Sequence, residues 1–316
     1  MRSFTAGKND NGVRLLRFCE KVCPLMPKSL MRKAFRNKRI KINGKKQNED
    51  YRLVEGDLIE LYINDEFFAV EKAVSHIKVD YSQLKIVYED DNILIVNKPF
   101  GLLCHSDNKN ESNLIDMILS YLIDKGVYSP EKENAFTPAL CNRIDQGTEG
   151  LVIAAKNYKA LADMNTVIRE NLLEKKYICI TQNEIADGKY TAYLKRDKTA
   201  KKVTVYKSQV EDSKEIITIF KTLDKKPGFN LIECTLITGG THQIRAHLSF
   251  LGAPIVGDRK YGKPAKNIDS QLLCAYKISF GNIPDNLSVE YLSGQEFSYS
   301  NNTVHKLYKN LRGILC

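Results

Sequence analysis

No run of eighteen apolar residues occurs in the 316-residue sequence, so a membrane-spanning helix is not expected. The first eight residues also lack the apolar core of a secretory signal. There is no C-x-x-C pair, no H-E-x-x-H, and neither of the glycine-rich loops that bind nucleotide phosphates. We therefore expect a cytoplasmic protein without a membrane partner. If it is an enzyme, it should need no nucleotide cofactor.

Eight cysteines and five histidines are present, but their spacing is not that of a metal site. Cys179 and Cys234, for example, lie inside apolar segments that are typical of strands. Reduced, buried thiols are the simpler interpretation, because a zinc site needs closer cysteine pairs or neighbouring histidines. We expect neither a metal nor another cofactor.

The net charge of +10 is concentrated near the N-terminus. Residues 1–62 hold fifteen Lys and Arg against seven Asp and Glu, so the rest of the chain carries a surplus of only two. Residues 28–46 contain nine basic side chains and no acidic one. Solvated helix faces usually mix both signs, so this clustering of one sign favours a polyanionic partner, above all a nucleic acid.

Two short helices and a hairpin are predicted within this basic region. Apolar spacing predicts a helix at 15–22, and a second helix is predicted to begin with Ser29 as its N-cap. The buried stripe of the second helix is expected to consist of Leu30, Met31, Ala34 and Phe35. Segment 39–45 contains the Asn-Gly pair that is typical of a hairpin turn, and a further strand is predicted at 58–63.

This arrangement resembles the S4 RNA-binding domain, which combines a basic helix pair with a V-x-V-N-G strand and a G-D before its last strand. The matching residues are Ile40-Lys-Ile-Asn-Gly44 and Gly56-Asp57, and the likeness covers residues 12–63. We predict an S4-like α/β domain at 1–63. The resemblance implies an RNA-binding surface made of eight basic residues, Lys28, Arg32, Lys33, Arg36, Lys38, Arg39, Lys41 and Lys45.

A larger domain is predicted at 85–305, after a linker at 64–84 and before a C-terminal tail at 306–316. It should begin with a hairpin ending at Lys98-Pro99 and contain helices at 114–122 and 157–171. Further strands are predicted at 176–181, 189–194, 201–206, 215–222 and 229–237. Many strands with a few long helices predict an α+β fold with a largely antiparallel, mixed sheet flanked by helices.

The loop 142–150, Asn-Arg-Ile-Asp-Gln-Gly-Thr-Glu-Gly, leads directly into the apolar strand 151–155. A rigid strand can hold the acid of this loop, Asp145, in position to act as a nucleophile or base. Taken alone the signal is modest, because most loop aspartates cap a turn or a helix.

A second element, about a hundred residues later, runs from Leu236 through Gly239-Gly240 to His247-Leu248. Thr241 is predicted to be the N-cap of a helix that begins there. Arg245, near the start of that helix and below a glycine-rich bend, is suited to hold a carboxylate or a phosphate. For an isolated arginine, a structural pair with some acid would be the simpler interpretation.

Together the two elements resemble the hallmark motifs of the RluA-type pseudouridine synthases, H-R-L-D-x-x-T-S-G-L-L and T-G-R-T-H-Q-I-R-V-H-L followed by G-x-P-I-x-G-D-x-x-Y-G. The likeness covers residues 85–305, and an N-terminal S4 domain is typical of the ribosomal RNA branch of that family. It implies a monomer that isomerises uridine in structured RNA, with large-subunit ribosomal RNA favoured. The alternatives are a transfer-RNA substrate and a non-catalytic RNA-binding or ribosome-assembly protein.

The resemblance also implies roles for particular residues. Asp145 would attack C1′ or take the C2′ proton, and Arg245 would be its ion-pair partner. Tyr177, in the strand Lys175-Lys176-Tyr177, would stack on the target base and act on the C5 proton. Leu273, in Leu273-Cys274-Ala275, would pack on the other side of a base that has been flipped out of the RNA.

Further substrate-binding residues are implied within the two motifs, namely Arg143, Thr148, Thr241, His242 and Gln243. Arg143 could fill the space left by the flipped base or form a structural salt bridge. At three polar positions the sequence departs from these two family motifs, with Asn142 for His, Glu149 for Ser and Gly240 for Arg. Because these positions flank the reaction centre, we expect them to alter substrate contacts more than activity.

Overall fold

The computed structural model describes residues 1–68, 79–106, 112–197, 202–265 and 268–310. Residues 69–78 of the predicted linker, residues 311–316 of the predicted C-terminal tail and position 201 of one predicted strand therefore lie outside the described residues. The described strands form two sheets, one of four strands near the N-terminus and one of eleven strands in the rest of the chain. None of the helices in these ranges is long and apolar enough to cross a membrane.

The N-terminal unit, residues 1–68, is built on the four-stranded sheet with two helices against it. Its elements are β1 (Arg2–Thr5), α1 (Leu15–Val22), α2 (Lys28–Arg36), β2 (Ile40–Ile42), β3 (Lys45–Lys46) and β4 (Leu58–Leu61). The strands lie in the order β1-β4-β2-β3, and every pair is antiparallel. Asn43 and Gly44 both have positive φ, 51° and 74°, so they form the predicted hairpin turn.

Two details of the second helix correct the sequence prediction. The N-cap of α2 is Pro27, and Ser29 lies inside the first turn. Met31, Ala34 and Phe35 are buried as expected, but Leu30 is 39% exposed and is not part of the core. Strand β1 was not predicted. The core of the unit extends to Phe68, which lies within the segment interpreted as a linker.

The large sheet carries the rest of the described chain. Its strands are β5 (Lys85–Glu89), β6 (Ile93–Lys98), β7 (Ala139–Leu140), β8 (Glu149–Ala155), β9 (Leu173–Thr181), β10 (Gly188–Asp197), β11 (Lys202–Tyr206), β12 (Lys214–Lys226), β13 (Phe229–Leu236), β14 (Leu273–Phe280) and β15 (Glu296–Ser298). They follow the order β11-β10-β12-β13-β9-β14-β8-β6-β5, with β15 beside β14 and β7 beside β8. Only the β14–β8 pair is parallel among the pairs of this sheet within the described ranges, so the predicted α+β fold with a largely antiparallel sheet is confirmed.

Helices cover both faces of this sheet, which is why β8 is buried along its whole length. They are α3 (Leu114–Asp124), α4 (Tyr158–Arg169), α5 (Gln243–Phe250) and α6 (Thr303–Lys309). Helices α3 and α5 share one core with alternate residues of β8, and α4 packs against the intervening ones. The predicted boundary at 305 falls inside α6, whose Val304 and Tyr308 are buried against β9 and β14.

The N-terminal unit contacts the larger unit through apolar packing and through several side-chain hydrogen bonds. The Asn9 side chain accepts a hydrogen bond from the Tyr158 N–H at the start of α4, and donates one to Glu133. Asn134 donates to the Thr5 carbonyl and to the buried carboxylate of Asp10. Removing the N-terminal unit would therefore leave hydrogen-bonding groups of the larger unit without partners.

Candidate active site

The two sequence motifs meet at a cleft of about 380 Å³, open to solvent, on the face of the sheet covered by α3 and α5. The loop before β8 supplies one wall, and the bend before α5 supplies the other. Of the residues proposed from sequence for catalysis or substrate binding, eight line it, namely Arg143, Asp145, Thr148, Tyr177, His242, Gln243, Arg245 and Leu273. Residues more than a hundred positions apart are brought together because β13, β9, β14 and β8 lie side by side in the sheet.

The loop that carries Asp145 is tied to the protein by backbone contacts. The Thr148 N–H donates to the Asp145 carbonyl, and Lys98 Nζ donates to the carbonyls of Pro99, Leu102 and Gln146. Lys98 is fully buried, and burial lowers its pKa to about 8. Three carbonyl dipoles take the place of water around its ammonium group, so Lys98 clamps this loop to the end of β6.

Close packing against β14 fixes the start of β8. Gly150 has φ +133°, and a Cβ at this position would lie 2.3 Å from the Ala275 carbonyl oxygen. No other residue fits so near a backbone, so the only parallel pairing described in the large sheet depends on this glycine. The same pairing sets the distance from Asp145 to the strand that carries Leu273.

Arg245 bridges two carboxylates, one open to the cleft and one buried. Its Nη1 donates to Asp145 Oδ2 over 2.8 Å, while its Nε and Nη2 donate to the two oxygens of Asp258 over 2.7 and 3.0 Å. Asp258 is fully buried and also accepts from the N–H groups of Lys260 and Tyr261. Burial alone would raise the pKa of Asp258, but the contacts with Arg245 outweigh it and hold that pKa below its ordinary value.

All contacts described for the Asp145 carboxylate go to one oxygen, Oδ2. Within the described part of the chain, Oδ1 has no hydrogen-bond partner, and the Asp145 side chain keeps 29% of its accessible surface. The carboxylate is therefore held at one oxygen and available to a ligand at the other. This is the geometry expected of a nucleophile or base whose orientation is fixed by an arginine.

Tyr177 and Leu273 form apolar walls beside the carboxylate. They lie on the neighbouring strands β9 and β14, and both belong to the core that lines the cleft. The Tyr177 hydroxyl makes no hydrogen bond within the described residues, and burial raises its pKa well above the ordinary value. It therefore stays protonated at neutral pH. A flat ring near a branched aliphatic side chain is suited to hold a planar base.

The bend before α5 differs from the prediction. The N-cap is His242 in the left-handed region (φ 52°, ψ 23°), so the prediction that Thr241 caps the helix is wrong. Thr241 is exposed and lines an adjoining groove instead of the Asp145 cleft. His242 Nδ1 lies 2.8 Å from the Tyr261 hydroxyl, and its Nε2 lies 3.9 Å from Asp145 Oδ2.

Other predicted substrate-binding residues line the cleft with their polar atoms already engaged. The Gln243 amide donates to Ile217 and Thr218 and accepts from Thr238 and the Gly240 N–H. The Thr148 hydroxyl accepts from the Gln271 amide. These groups hold the walls together. Arg143, by contrast, is exposed, and across the described ranges it has no salt-bridge partner.

Two of the three departures from the family motifs turn out to be structural. The Asn142 side chain accepts from the Ile153 N–H over 2.8 Å and donates to the Leu151 carbonyl. Glu149 is buried, and its carboxylate accepts from the N–H of Thr303, the first residue of α6. Since neither side chain lines the cleft, the expectation that they alter substrate contacts is not supported. Gly240 does line it.

The eight predicted RNA-binding residues of the N-terminal unit, which we together term the basic face, lie on α2, in the turn after it, and on β2 and β3. It consists of Lys28, Arg32, Lys33, Arg36, Lys38, Arg39, Lys41 and Lys45. All are exposed except the half-buried Lys41, whose ammonium group lies 5.0 Å from the centre of the Tyr62 ring. Among the described residues, none of the eight has a salt-bridge partner.

Sequence reasoning missed several residues that support the site, above all Lys98, Asp258 and Tyr261. Each had a signal. Lys98 ends an otherwise apolar strand, and Asp258 and Tyr261 belong to the G-D-x-x-Y-G motif quoted for the family. The sequence did not show which group each of these three side chains would contact.

No group of three or more His, Cys, Asp or Glu side chains suited to a metal occurs in the described ranges.

Comparisons with known proteins agree with these features. A family model described as RNA pseudouridylate synthase matches residues 92–250. An uncharacterized RNA pseudouridine synthase of Mycoplasma capricolum is 34% identical over 307 residues, 93% of this chain and 96% of its own. Ribosomal large subunit pseudouridine synthase C of Rickettsia felis is 32% identical over 263 residues, 79% of this chain and 81% of its own. The solved structure of human RNA pseudouridylate synthase domain containing 4 is similar in fold, with a TM-score of 0.57 at 21% identity over 71% of this chain and 92% of that one.

Proposed function

The chain belongs to the RNA pseudouridylate synthase family and is an RNA pseudouridine synthase, an isomerase. From that premise we propose that Asp145 is its catalytic carboxylate and that its substrate is large-subunit ribosomal RNA. The observation that carries the catalytic part is the bridge of Arg245 between the buried Asp258 and Oδ2 of Asp145, a residue that lines the cleft and whose Oδ1 has no hydrogen-bond partner among the described residues.

The chemistry accounts for the residues in the cleft. The reaction breaks the N1–C1′ bond of uridine, turns the base and joins C5 to C1′, while a proton leaves C5 and one is gained at N1. No atom is lost and no net oxidation occurs. Asp145 Oδ1 can either bond to C1′ or take the C2′ proton, and both routes need an ionised carboxylate with one free oxygen. Arg245 holds the other oxygen in place.

Tyr177 and Leu273 would hold the uracil ring while it turns. Since the base starts inside folded RNA, it must be flipped out at a cost of a few kcal/mol, which stacking and RNA binding must supply. Because the Tyr177 hydroxyl keeps its proton at neutral pH, it can accept the C5 proton only if it gives up its own hydroxyl proton at the same time. Arg143, exposed at the rim without a salt bridge in the described ranges, is free to contact the RNA.

The RNA partner is supported by the basic face and by relatives. Eight basic side chains without described salt-bridge partners favour a polyanion, and the resemblance of residues 12–63 to the S4 domain favours RNA. Relatives from Rickettsia are named large-subunit ribosomal enzymes, which favours ribosomal over transfer RNA. Chemical mapping of pseudouridines in both RNA classes, from cells with and without the gene, separates the two. A loss confined to transfer RNA would overturn the ribosomal assignment.

The catalytic assignment is tested by Asp145→Asn in the full-length protein. We expect pseudouridine formation in a ribosomal RNA transcript to fall by at least roughly a thousandfold, while RNA binding stays unchanged. The matched control is Asp269→Asn, the same chemical change at an exposed aspartate paired with Arg259 on the surface. It should keep full activity. An active Asp145→Asn enzyme would exclude Asp145 as the catalytic residue.

A further inference from the structure

His242 occupies a strained position beside the proposed nucleophile. It precedes α5 with φ 52°, a left-handed conformation that is unfavourable for a non-glycine residue. The surrounding contacts hold it there: Nδ1 meets the Tyr261 hydroxyl at 2.8 Å, and Nε2 faces Asp145 Oδ2 at 3.9 Å. Backbone strain of this kind persists at sites where a side chain must point in one direction.

The hydrogen bonds around Tyr261 favour one of the two ring nitrogens of His242 as the site of the proton. The Val203 N–H donates to the Tyr261 oxygen over 3.0 Å, so that oxygen already accepts one hydrogen bond. The Tyr261 O–H then needs an acceptor, and His242 Nδ1 is the one within reach. A ring that accepts at Nδ1 must carry its proton on Nε2, the nitrogen that faces Asp145.

The charges around the ring favour its neutral form. Burial is the largest effect and lowers the pKa of His242. Arg245 and Lys260 lower this pKa further, whereas Asp145 and, more weakly, Asp258 raise it. Burial likewise raises the pKa of the Tyr261 hydroxyl, which therefore keeps the proton that it donates. His242 is accordingly a neutral ring with a fixed N–H at neutral pH.

We propose that His242, oriented by Tyr261, is a positioning residue that directs its Nε2–H at Asp145 Oδ2 and so helps to keep Oδ1 turned towards the substrate. This inference rests on the proposed function of Asp145. The separation of 3.9 Å exceeds a hydrogen bond, so the N–H acts here as a dipole. A movement of about 1 Å on RNA binding would form the bond. Arg245 and His242 then approach the same oxygen from two sides.

The proton position can be measured directly on the full-length protein labelled with ¹⁵N in its histidines. Nitrogen chemical shifts distinguish the two neutral forms and the doubly protonated ring, and the His242 signals are assigned as those missing from His242→Asn. We expect the Nε2–H form at neutral pH and a mixture of forms in Tyr261→Phe. An Nδ1–H ring or a doubly protonated ring in the parent protein would overturn the proposal.

Kinetics test the consequence with three variants. Tyr261→Phe keeps the ring that contacts Arg245 and Lys202 but removes the hydroxyl, and His242→Asn tolerates the left-handed backbone but is too short to reach Asp145. We expect each to lower kcat roughly tenfold with KM within about twofold. His242→Gln places an amide N–H near the Nε2 position and should recover most of that activity.

The outcomes separate this inference from the proposed function. If Asp145→Asn is inactive while Tyr261→Phe and His242→Asn match the parent, only the role of His242 fails. An active Asp145→Asn would remove the proposed function and this inference together. If His242→Gln is as impaired as His242→Asn, the ring is not acting through its Nε2–H, and the proposal is overturned.

Discussion

The basic face of the N-terminal unit and the cleft around Asp145 both depend on charge, but in opposite environments. On the basic face seven of eight cations are exposed, and none has a described salt-bridge partner. In the cleft, Arg245 is 7% exposed and contacts two carboxylates, one of them fully buried. The first arrangement leaves charge available to a distant ligand, whereas the second uses charge to fix one geometry.

This difference predicts how each region responds to change. Exposed charges act through a shared field, so the loss of one is offset by its neighbours and by salt. In a buried ion pair no neighbouring charge or salt ion replaces a lost partner. Removing one partner therefore leaves an uncompensated charge where water cannot reach it. The cleft should therefore be sensitive to single substitutions and the basic face only to several together.

The largest effect after Asp145→Asn is expected from Asp258→Asn. This nearly isosteric change removes the buried charge that Arg245 contacts through two nitrogens, so we expect the protein to lose roughly 3–5 kcal/mol of stability. Activity should fall at least about a hundredfold in whatever fraction stays folded, since Arg245 can then leave Asp145. Urea unfolding and single-turnover kinetics measure the two effects. Stability and activity close to those of the parent would show that Asp145 alone suffices to hold Arg245.

Burial should also make the larger unit sensitive to acid through His247. This residue is fully buried, its Nε2 has no partner among the described residues, and burial lowers its pKa to about 4. The unfolded chain, with a histidine pKa near ~6.5, binds the proton first, so stability should fall as the pH drops from about 6.5 to 4. The full shift corresponds to on the order of 3 kcal/mol. Urea unfolding across this range should show a smaller loss for His247→Gln, and an equal loss would assign the acid sensitivity elsewhere.

A smaller, distributed effect is expected from the triple variant Arg32→Gln, Arg36→Gln and Arg39→Gln. For each RNA phosphate that the variant no longer neutralises, the slope of log K against log salt should become shallower by about 0.7–0.9, with kcat unchanged at saturating RNA. The matched control replaces three exposed arginines and lysines that form surface ion pairs, namely Arg169, Lys225 and Arg259. An equal change in slope for both variants would mean that the basic face is not a specific RNA-binding surface.

The smallest effect is expected from a single exposed cation such as Lys38→Gln. Because neighbouring charges maintain the field, RNA affinity should change by no more than about threefold at physiological salt. A filter-binding titration against the parent protein measures it. A loss comparable to that of Asp258→Asn would contradict the comparison, since it would place a unique contact within the basic face.

Helices, strands and turns could be predicted from the sequence wherever the signal for them is local. The Asn43-Gly44 pair fixed a hairpin because few residues tolerate its positive φ, and the apolar spacing of α3 and α4 located both helices. Local signals gave wrong predictions where more than one residue could occupy a cap or a buried position. Thr241 is a good N-cap by type, yet His242 occupies the position, with its ring in hydrogen-bond contact with the Tyr261 hydroxyl. Leu30 is apolar, yet it lies on the exposed side of α2.

The sequence by itself determined most of the helices and strands, the sheet type and the concentration of positive charge, because these follow from periodicity and composition, and its two long motifs indicated the pairing of Asp145 with Arg245. Only the tertiary structure decided what holds that pair. Asp258 beneath Arg245, Lys98 under the loop, and Tyr261 beside His242 are all contacts between distant segments. Such contacts depend on which strands become neighbours and on which buried polar group lacks a partner. Neither can be predicted from residues that are close together in the sequence.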